Sequence, residues 1–224
     1  MKRTLTSALI ACAMLCIAAQ VNAVTITVNP GDPWLGFMNV SELPSNGGAY
    51  VFSSGWGTAD LCATFAGPVL TITPNTIGDP NSFWYTPSGG PGATGNKNMD
   101  ANMYVQVDGA LAGQLVTFTG DVLSNTLVSP YTSVAFVKDF APDFSSFTQV
   151  TVPLTPGVFS ISLPTVNDPL RHVQYGFETI GPDVWVTDVG PKGSAQVTAV
   201  PEPATLGLAG VALIGCIIRR RRSA

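Results

Sequence analysis

The stretch QLVTFTGDVL, residues 114–123, decides the fold class of this chain. Its side chains alternate in character: Val116 and Phe118 fall on one side, Thr117 and Thr119 on the other. Successive side chains of a β-strand point to opposite faces of a sheet, so a period of two indicates a strand with one buried face. The stretch therefore predicts a strand that covers an apolar core.

The same kind of segment recurs along the interior of the chain, where helical periodicity is almost absent. Short runs rich in Val, Thr, Ile, Phe and Tyr are separated by Pro, Gly, Asn and Asp. The predicted strands are 24–28, 34–40, 49–54, 59–65, 68–74, 101–107, 114–123, 133–140, 147–154, 157–163, 172–180, 184–190 and 195–200. Strands of this length and spacing predict an all-β protein, a jelly-roll-like β-sandwich over residues 24–199.

Residues 1–23, MKRTLTSALIACAMLCIAAQVNA, differ from this interior. A positively charged start, an apolar stretch and small residues at a cleavage point form the three-part pattern of a secretory signal peptide. An alternative is a lipoprotein signal, because Leu9 to Cys12 resembles a lipobox and would place a lipid on Cys12. Either interpretation predicts export.

The other end, VPEPATLGLAGVALIGCIIRRRRSA at 200–224, contains a fifteen-residue apolar run over 204–218. A membrane-spanning helix usually needs about 20 residues, so this run predicts a short transmembrane helix extended by snorkelling arginines. The basic cluster after it consists of Arg219, Arg220, Arg221 and Arg222. The positive-inside rule predicts that this cluster stays cytoplasmic while the secretion machinery exports the preceding residues.

This end of the chain resembles the PEP-CTERM sorting signal. The motif is Val200-Pro201-Glu202-Pro203, followed by the short span and the arginine cluster in the family's order. The resemblance implies processing by an exosortase near the motif, in a Gram-negative-type bacterium that makes an exopolysaccharide. The two prolines lack amide hydrogens and favour an extended chain, which suits a segment that an enzyme must grip.

The net charge and cysteine content of the interior of the chain exclude some classes of function. Between residues 24 and 199 there are four basic and thirteen acidic residues, a net charge of −9. Such a domain repels phosphate backbones, so we expect no nucleic acid partner. Cys62 is the one cysteine in that range, which excludes an intramolecular disulfide there. Its alternating apolar setting predicts a buried thiol that acts as a small hydrophobe.

Catalytic patterns are weak, and we expect no enzyme. His172 is the only histidine of the chain, and the Gly-x-Ser-x-Gly elbow of serine hydrolases is absent from the sequence. The glycine-rich 90–95 lacks the lysine and the following helix of a phosphate loop, which indicates a flexible loop. A secreted hydrolase that uses Glu178 or His172 remains an alternative.

The second half of the domain resembles the closing strands of jelly-roll carbohydrate-binding modules, over 133–163 and 173–197. This resemblance implies a sugar-binding or adhesive fold and a structural calcium. Asn98, Asp100 and Asn102 stand at alternate positions entering a strand, and their oxygens are candidate ligands for Ca²⁺. The alternative is that these residues form a solvent-exposed start of the strand and bind no metal. We expect no other cofactor.

Sugar rings stack on aromatic faces, so exposed aromatic residues are candidate glycan contacts. Trp84 and Tyr85 lie in the long turn-rich stretch 74–98, and Trp56 lies between glycines in an expected loop tip. The alternative for the pair is a lid that folds back on the sandwich. We expect Trp34 and Trp185 in the core.

Together these patterns predict an exported, non-enzymatic extracellular or cell-surface protein, sorted by exosortase and associated with the exopolysaccharide matrix. A specific carbohydrate-binding module is the first alternative to this interpretation, and a secreted hydrolase is the second.

Overall fold

β-strands dominate residues 22–201, the part of the chain that the computed structural model describes. They are β1 Ala23–Thr27, β2 Leu35–Glu42, β3 Tyr50–Trp56, β4 Ala63–Ala66, β5 Val69–Ile72, β6 Tyr85–Thr86, β7 Thr94–Gly95, β8 Lys97–Asp108, β9 Leu115–Asn125, β10 Thr132–Phe140, β11 Phe147–Pro153, β12 Gly157–Pro164, β13 His172–Pro182 and β14 Ala195–Thr198. The helical elements of this range are 3₁₀ turns at Pro44–Asn46, Val186–Asp188 and Gly190–Lys192. The all-β prediction is confirmed, whereas the jelly-roll connectivity stays a prediction.

The two ends of the sequence fall outside this description. Residues 1–21 of the predicted signal peptide 1–23, with Cys12, lie outside it, whereas Ala23 already begins β1. At the other end, the last two motif residues Glu202 and Pro203, the predicted helix 204–218 and the cluster Arg219–Arg222 lie outside it as well. Within 22–201 we find no helix that is long and apolar enough to cross a membrane.

Two six-stranded sheets pack face to face. The first has the order β1-β9-β14-β5-β4, with β12 paired to the other side of β9. The second has the order β11-β10-β13-β8-β2-β3, and β6 pairs with β7 in a small separate ribbon. β1 runs parallel to the first half of β9, and β14 runs antiparallel to its second half. The first and last described strands therefore share one neighbour.

The alternation in β9 operates as the sequence predicts. Val116 and Phe118 are fully buried, whereas Thr117 and Thr119 lie on the outer face. The ring of Phe118 contacts rings from both sheets, at centroid distances of 5.4 Å to Phe159, 5.3 Å to Tyr175 and 5.5 Å to Phe177. This aromatic cluster joins β9 and β12 of the first sheet to β13 of the second.

The expected strand at 184–190 is wrong. β13 already ends at Pro182, and the chain then turns through the 3₁₀ segments Val186–Asp188 and Gly190–Lys192. Trp185 packs edge-on against Tyr85 with ring centroids 5.4 Å apart. Side-chain packing, and not strand pairing, therefore holds this segment in place. Trp34 and Trp185 both pack against the core, as the sequence predicts.

The stretch 74–98 contributes to the core, contrary to its polar composition. Tyr85 is fully buried, and its hydroxyl lies 2.8 Å from the Ile77 carbonyl oxygen and 3.0 Å from that of Val184. Asp183 anchors the end of the stretch, because its Oδ1 accepts the Lys97 N–H at 2.9 Å. The other oxygen of Asp183 is buried without a hydrogen-bond partner among the described residues.

Phe118→Ala tests the aromatic cluster. Truncating this fully buried ring leaves a cavity between the sheets, and we expect a loss of about 3–5 kcal/mol in the free energy of unfolding. Denaturant titration of the full chain measures it. Val158→Ala on β12 is the control, because Val158 is 63% exposed and should change stability by less than about 0.5 kcal/mol. Equal effects of the two changes would contradict the central role of Phe118.

Asp183→Asn tests the buried carboxyl. Burial raises the pKa of Asp183 from 3.8 to about 6. Between these two pH values the folded state therefore keeps a proton that the unfolded state has already released. Wild-type stability should fall as pH rises from about 4 to about 6, by up to roughly 3 kcal/mol. Asparagine keeps the acceptor for the Lys97 N–H and lacks this ionisation.

We therefore expect Asp183→Asn to be more stable than wild type at pH 7 and to show little advantage at pH 4. Thermal unfolding at the two values measures this difference. Asp121→Asn, at a half-buried position on β9, controls for the loss of one negative charge. A gain for Asp183→Asn of the same size at both pH values would refute the assignment.

Candidate functional site

The outer face of the second sheet is unusually polar. Met99 and Met103 of β8 point into the core and are buried, so the alternate side chains of this strand point outward. Those outward side chains are Asn98, Asp100, Asn102, Tyr104 and Gln106. β13 lies beside β8 and adds Glu178 to the same face, and β10, on the other side of β13, adds Lys138. Strand pairing thus gathers residues that are far apart in sequence.

A groove of about 610 Å³ lies on this face. Its lining combines aromatic rings, amides and charged groups from β2, β8, β10, β11, β13 and the β10–β11 loop. The lining residues are Phe37, Asn39, Asp100, Asn102, Tyr104, Gln106, Lys138, Phe140, Phe144, Phe147, Gln149, Gln174 and Glu178. Along β8 the lining runs from Asp100 to Gln106, about 20 Å at roughly 3.3 Å per residue. Such a groove accommodates an extended ligand.

Lys138 lies at the centre of the polar contacts. Its Nζ donates to Asn102 Oδ1 at 2.8 Å and to Glu178 Oε2 at 3.0 Å. The same ammonium lies 4.0 Å from the centroid of the Phe136 ring. The side chains of Lys138 and Glu178 are 10% and 19% exposed, so this ion pair is largely shielded from water. It neutralises both charges and holds Asn102 in place.

Asp100 lies next to this ion pair. Its Oδ1 accepts the Asn102 Nδ2–H at 2.7 Å, and its Oδ2 accepts the Asn39 Nδ2–H at 3.1 Å. Burial raises the pKa of Asp100, and repulsion by Glu178 raises it further. The hydrogen-bond partners of Asp100 are neutral amides, so no paired cation balances its charge as Lys138 balances that of Glu178.

A row of amide side chains continues the groove. Gln174 donates from Nε2 to Gln106 Oε1 at 2.9 Å, and Gln106 donates to Asp108 Oδ1 at 2.9 Å. Gln149, on the edge strand β11, is exposed. Amides supply both donors and acceptors, so this row can match hydroxyl groups in either role.

Three phenylalanines form the rim at one end of the groove. Phe140 contacts Phe144 and Phe147, with centroid distances of 5.6 Å and 4.9 Å. Phe144 and Phe147 are each 48% exposed. Phe144 has a φ of 58°, in the left-handed region that non-glycine residues rarely adopt. The β10–β11 loop thus presents two apolar rings to solvent beside a polar groove.

His172 supports this rim. Its ring stacks on Phe144 with centroids 4.3 Å apart and planes 7° from parallel. Its Nδ1 lies 2.7 Å from Asp108 Oδ1, and its Nε2 lies 3.3 Å from the Pro142 carbonyl oxygen. The hydrogen bond to Asp108 raises the pKa of His172. Both ring nitrogens thus have partners, one on β8 and one in the β10–β11 loop, and neither partner is a hydroxyl or thiol group.

The aromatic residues predicted as glycan contacts lie elsewhere. Tyr85 is fully buried, so its assignment as a glycan contact is wrong. Trp84 is half-buried, packs against the core and contacts Phe52 edge-on at 6.2 Å, which favours the lid alternative. Trp56 is the last residue of β3, not a loop tip, and its Nε1 donates to Ser54 Oγ. None of the three lines the groove.

The calcium hypothesis for Asn98, Asp100 and Asn102 meets an obstacle. The Lys138 ammonium already binds Asn102 Oδ1, and a second cation at that oxygen would be repelled. Asn102 also donates from Nδ2 to Asp100 Oδ1, so the orientation of its amide is fixed and its Oδ1 stays committed to Lys138. Across residues 22–201, no cluster of three or more His, Cys, Asp or Glu side chains could hold a metal. The alternation that suggested calcium marks one wall of the groove.

Cys62 is only half-buried, contrary to the prediction of a fully buried thiol. Its backbone has a φ of 59°, because the chain turns tightly before β4 begins at Ala63. Its Sγ lies 3.3 Å from Thr76 Oγ1, near Trp56 in a separate shallow depression.

Sequence reasoning missed Lys138 and the rim phenylalanines as site residues. Phe144 and Phe147 stand in the loop-and-strand stretch FAPDFSSF, residues 140–147, where apolar rings interrupt a run of turn residues. That interruption was the available signal. Their proximity to Asp100 depends on the pairing of β10, β13 and β8, which the sequence does not state.

The end of the described structure leads directly into the sorting segment. β14 ends at Thr198, and Pro201 is exposed. Residues 199–222 match the family model of the PEP-CTERM protein-sorting motif. The chain carries a PEP-CTERM sorting motif. This motif implies export, processing by exosortase, and a surface or extracellular location.

The motif covers the C-terminal segment alone and says nothing about the sandwich. Comparison with curated proteins and with solved structures finds no match to the chain. The role of the sandwich therefore has to be argued from its own groove.

Lys138→Met tests the central ion pair. Removing the ammonium leaves Glu178 shielded and unpaired beside Asp100, and we expect a loss of about 3 kcal/mol in the free energy of unfolding. Denaturant titration measures it. The double change Lys138→Met with Glu178→Gln should recover part of the loss, because the stranded charge is gone. If the double variant is the sum of the two single variants, the coupling is absent.

Proposed function

We propose that this PEP-CTERM protein is a non-enzymatic matrix or cell-surface protein whose sandwich binds polysaccharide in the outer-face groove. The observation that carries the proposal is the groove itself, in which amides, charged groups and exposed aromatic rings meet on one face. The sorting motif supports the location, because exosortase processing releases or attaches the sandwich outside the inner membrane. The matrix exopolysaccharide is then the ligand that the groove encounters.

The chemistry of the groove suits sugars. Hydroxyl groups both donate and accept hydrogen bonds, and the Gln106, Gln174 and Gln149 amides offer both roles. The apolar C–H face of a pyranose packs on an aromatic ring. Phe144 and Phe147 present such rings at the rim. The length of the lining along β8 suits several linked sugar rings instead of one.

Binding is favoured over hydrolysis by the state of the carboxyl groups. A glycosidase needs two carboxyl groups free to act on opposite sides of the scissile bond. Glu178 is ion-paired with Lys138, and both oxygens of Asp100 accept amide hydrogens. His172, the other hydrolase candidate, is occupied by Asp108 and Pro142. These groups are arranged to hold a ligand in place.

Phe144→Ala and Phe147→Ala test this function. We expect the full chain, in mild detergent, to bind a narrow set of oligosaccharides saturably on a glycan array. Each substitution should weaken binding of the best oligosaccharide by about tenfold, or about 1.4 kcal/mol, because a stacking ring is lost. Isothermal titration calorimetry measures the change.

Tyr50→Ala is the matched control, because Tyr50 is an aromatic residue that is 69% exposed and lies outside the groove lining. Its removal should leave binding unchanged. No saturable binding to any oligosaccharide, or equal losses for Tyr50→Ala and Phe144→Ala, would overturn the proposed function.

A further inference from the structure

The geometry points to a glycan with free amino groups as the ligand of this groove, its ammonium groups bound at Asp100. This inference rests on the proposed function and adds the charge class of the ligand. The observations behind it are the charge balance inside the groove, the partners of Asp100 and the distribution of cations over the described surface.

The groove carries one uncompensated negative charge. Among the lining residues the charged groups are Lys138, Glu178 and Asp100. Lys138 and Glu178 form an ion pair at 3.0 Å and cancel each other. Lys138 is further held by Asn102 and by the Phe136 ring. With two hydrogen bonds and an aromatic ring around it, the ammonium is poorly placed to receive an anionic ligand.

Asp100 accepts hydrogen bonds from neutral groups, so these partners do not neutralise its negative charge. Asn39 and Asn102 each donate one N–H to it, and an amide donor leaves the net charge of the carboxylate unchanged. Each carboxylate oxygen can accept a second hydrogen bond. A ligand ammonium can supply both the donor and the missing charge, and charge-assisted hydrogen bonds are the stronger kind.

The electrostatics of Asp100 support the same conclusion. Burial and the nearby Glu178 raise the pKa of Asp100, and the opposing effects of Lys138 and the two amides do not offset them, so its ionised form is disfavoured in this setting. A ligand ammonium would lower that pKa and relieve the repulsion between the two carboxylates. A uronic acid in the same place would add a third negative group, so the groove should reject acidic polysaccharides.

The charges outside the groove do not offset the preference for a cationic ligand. Residues 22–201 carry four basic and thirteen acidic residues, a net charge of −9. Two of the cations outside the groove are already paired, Lys97 with Glu42 and Arg171 with the fully buried Asp139. The field of the domain therefore attracts cationic polymers and repels anionic ones.

The test compares two oligosaccharides of equal length that differ in whether their amino groups are free or acetylated. Binding of the full chain to a glucosamine oligosaccharide and to its N-acetylglucosamine counterpart is measured by calorimetry at low salt, at a pH where the amines are charged. We expect the amine form to bind about tenfold more tightly. Added salt should reduce this advantage, because it screens partly exposed charges. A uronic acid oligosaccharide should bind more weakly than either.

Asp100→Asn should remove the difference between the two oligosaccharides, so that the amine form no longer binds more tightly than the acetylated form. Asp121→Asn is the matched control: it removes the same charge from the outer face of the first sheet. It should preserve the preference. If Asp100→Asn fails to fold, the preference of wild type measured beside that of Asp121→Asn still decides the question, because overall charge as the cause would weaken the preference in Asp121→Asn.

Equal affinity for the two forms, or tighter binding of the uronic acid oligosaccharide, would overturn this inference and leave polysaccharide binding standing. Absence of binding to all three classes, and to the wider glycan array, would overturn the proposed function as well. An Asp121→Asn variant that loses the preference would show that overall charge, not Asp100, causes it.

Discussion

The packing of Phe118 against Tyr175 and Phe177 is the contact on which the rest of this structure depends. It joins β9, the central strand of the first sheet, to β13, which is central in the second. Once the apolar side of β13 faces Phe118, its alternate residues must point outward, since side chains of a strand alternate. The inward position of Phe177 therefore fixes the outward position of Glu178. The alternation of side chains along β13 thus both buries the core residues and exposes the groove residues.

The groove contains shielded charged groups, which an ordinary solvent-exposed sheet face does not need. Holding Lys138 and Glu178 at low exposure costs desolvation, and such pairs seldom add stability over apolar side chains. Their retention on the surface of a sheet favours a binding role, because the same groups orient Asn102 and leave Asp100 uncompensated. The strained backbone of Phe144, stacked on His172, agrees with this view. Both features keep side chains in fixed positions before any ligand arrives.

The sorting motif and the groove occupy different parts of the chain. The match to the PEP-CTERM motif begins at residue 199, immediately after β14 ends at Thr198. β14 lies between β9 and β5, inside its sheet, so the motif leaves the sandwich from a paired interior strand. The acidic groove belongs to the opposite sheet. A sandwich sorted to the cell exterior can therefore present its groove away from the segment that is processed.

The sequence by itself determined the all-β class, the buried side of β9 and the sorting motif, because each is written in a local pattern of neighbouring residues. It also marked the outward row on β8, although the row was assigned to calcium. Only the tertiary structure decided that Tyr85 is buried, that 184–190 turns instead of pairing, and that Lys138 reaches Asn102. The physical reason is that these outcomes depend on contacts between segments distant in the chain, and strand register, which no local pattern encodes, sets those contacts.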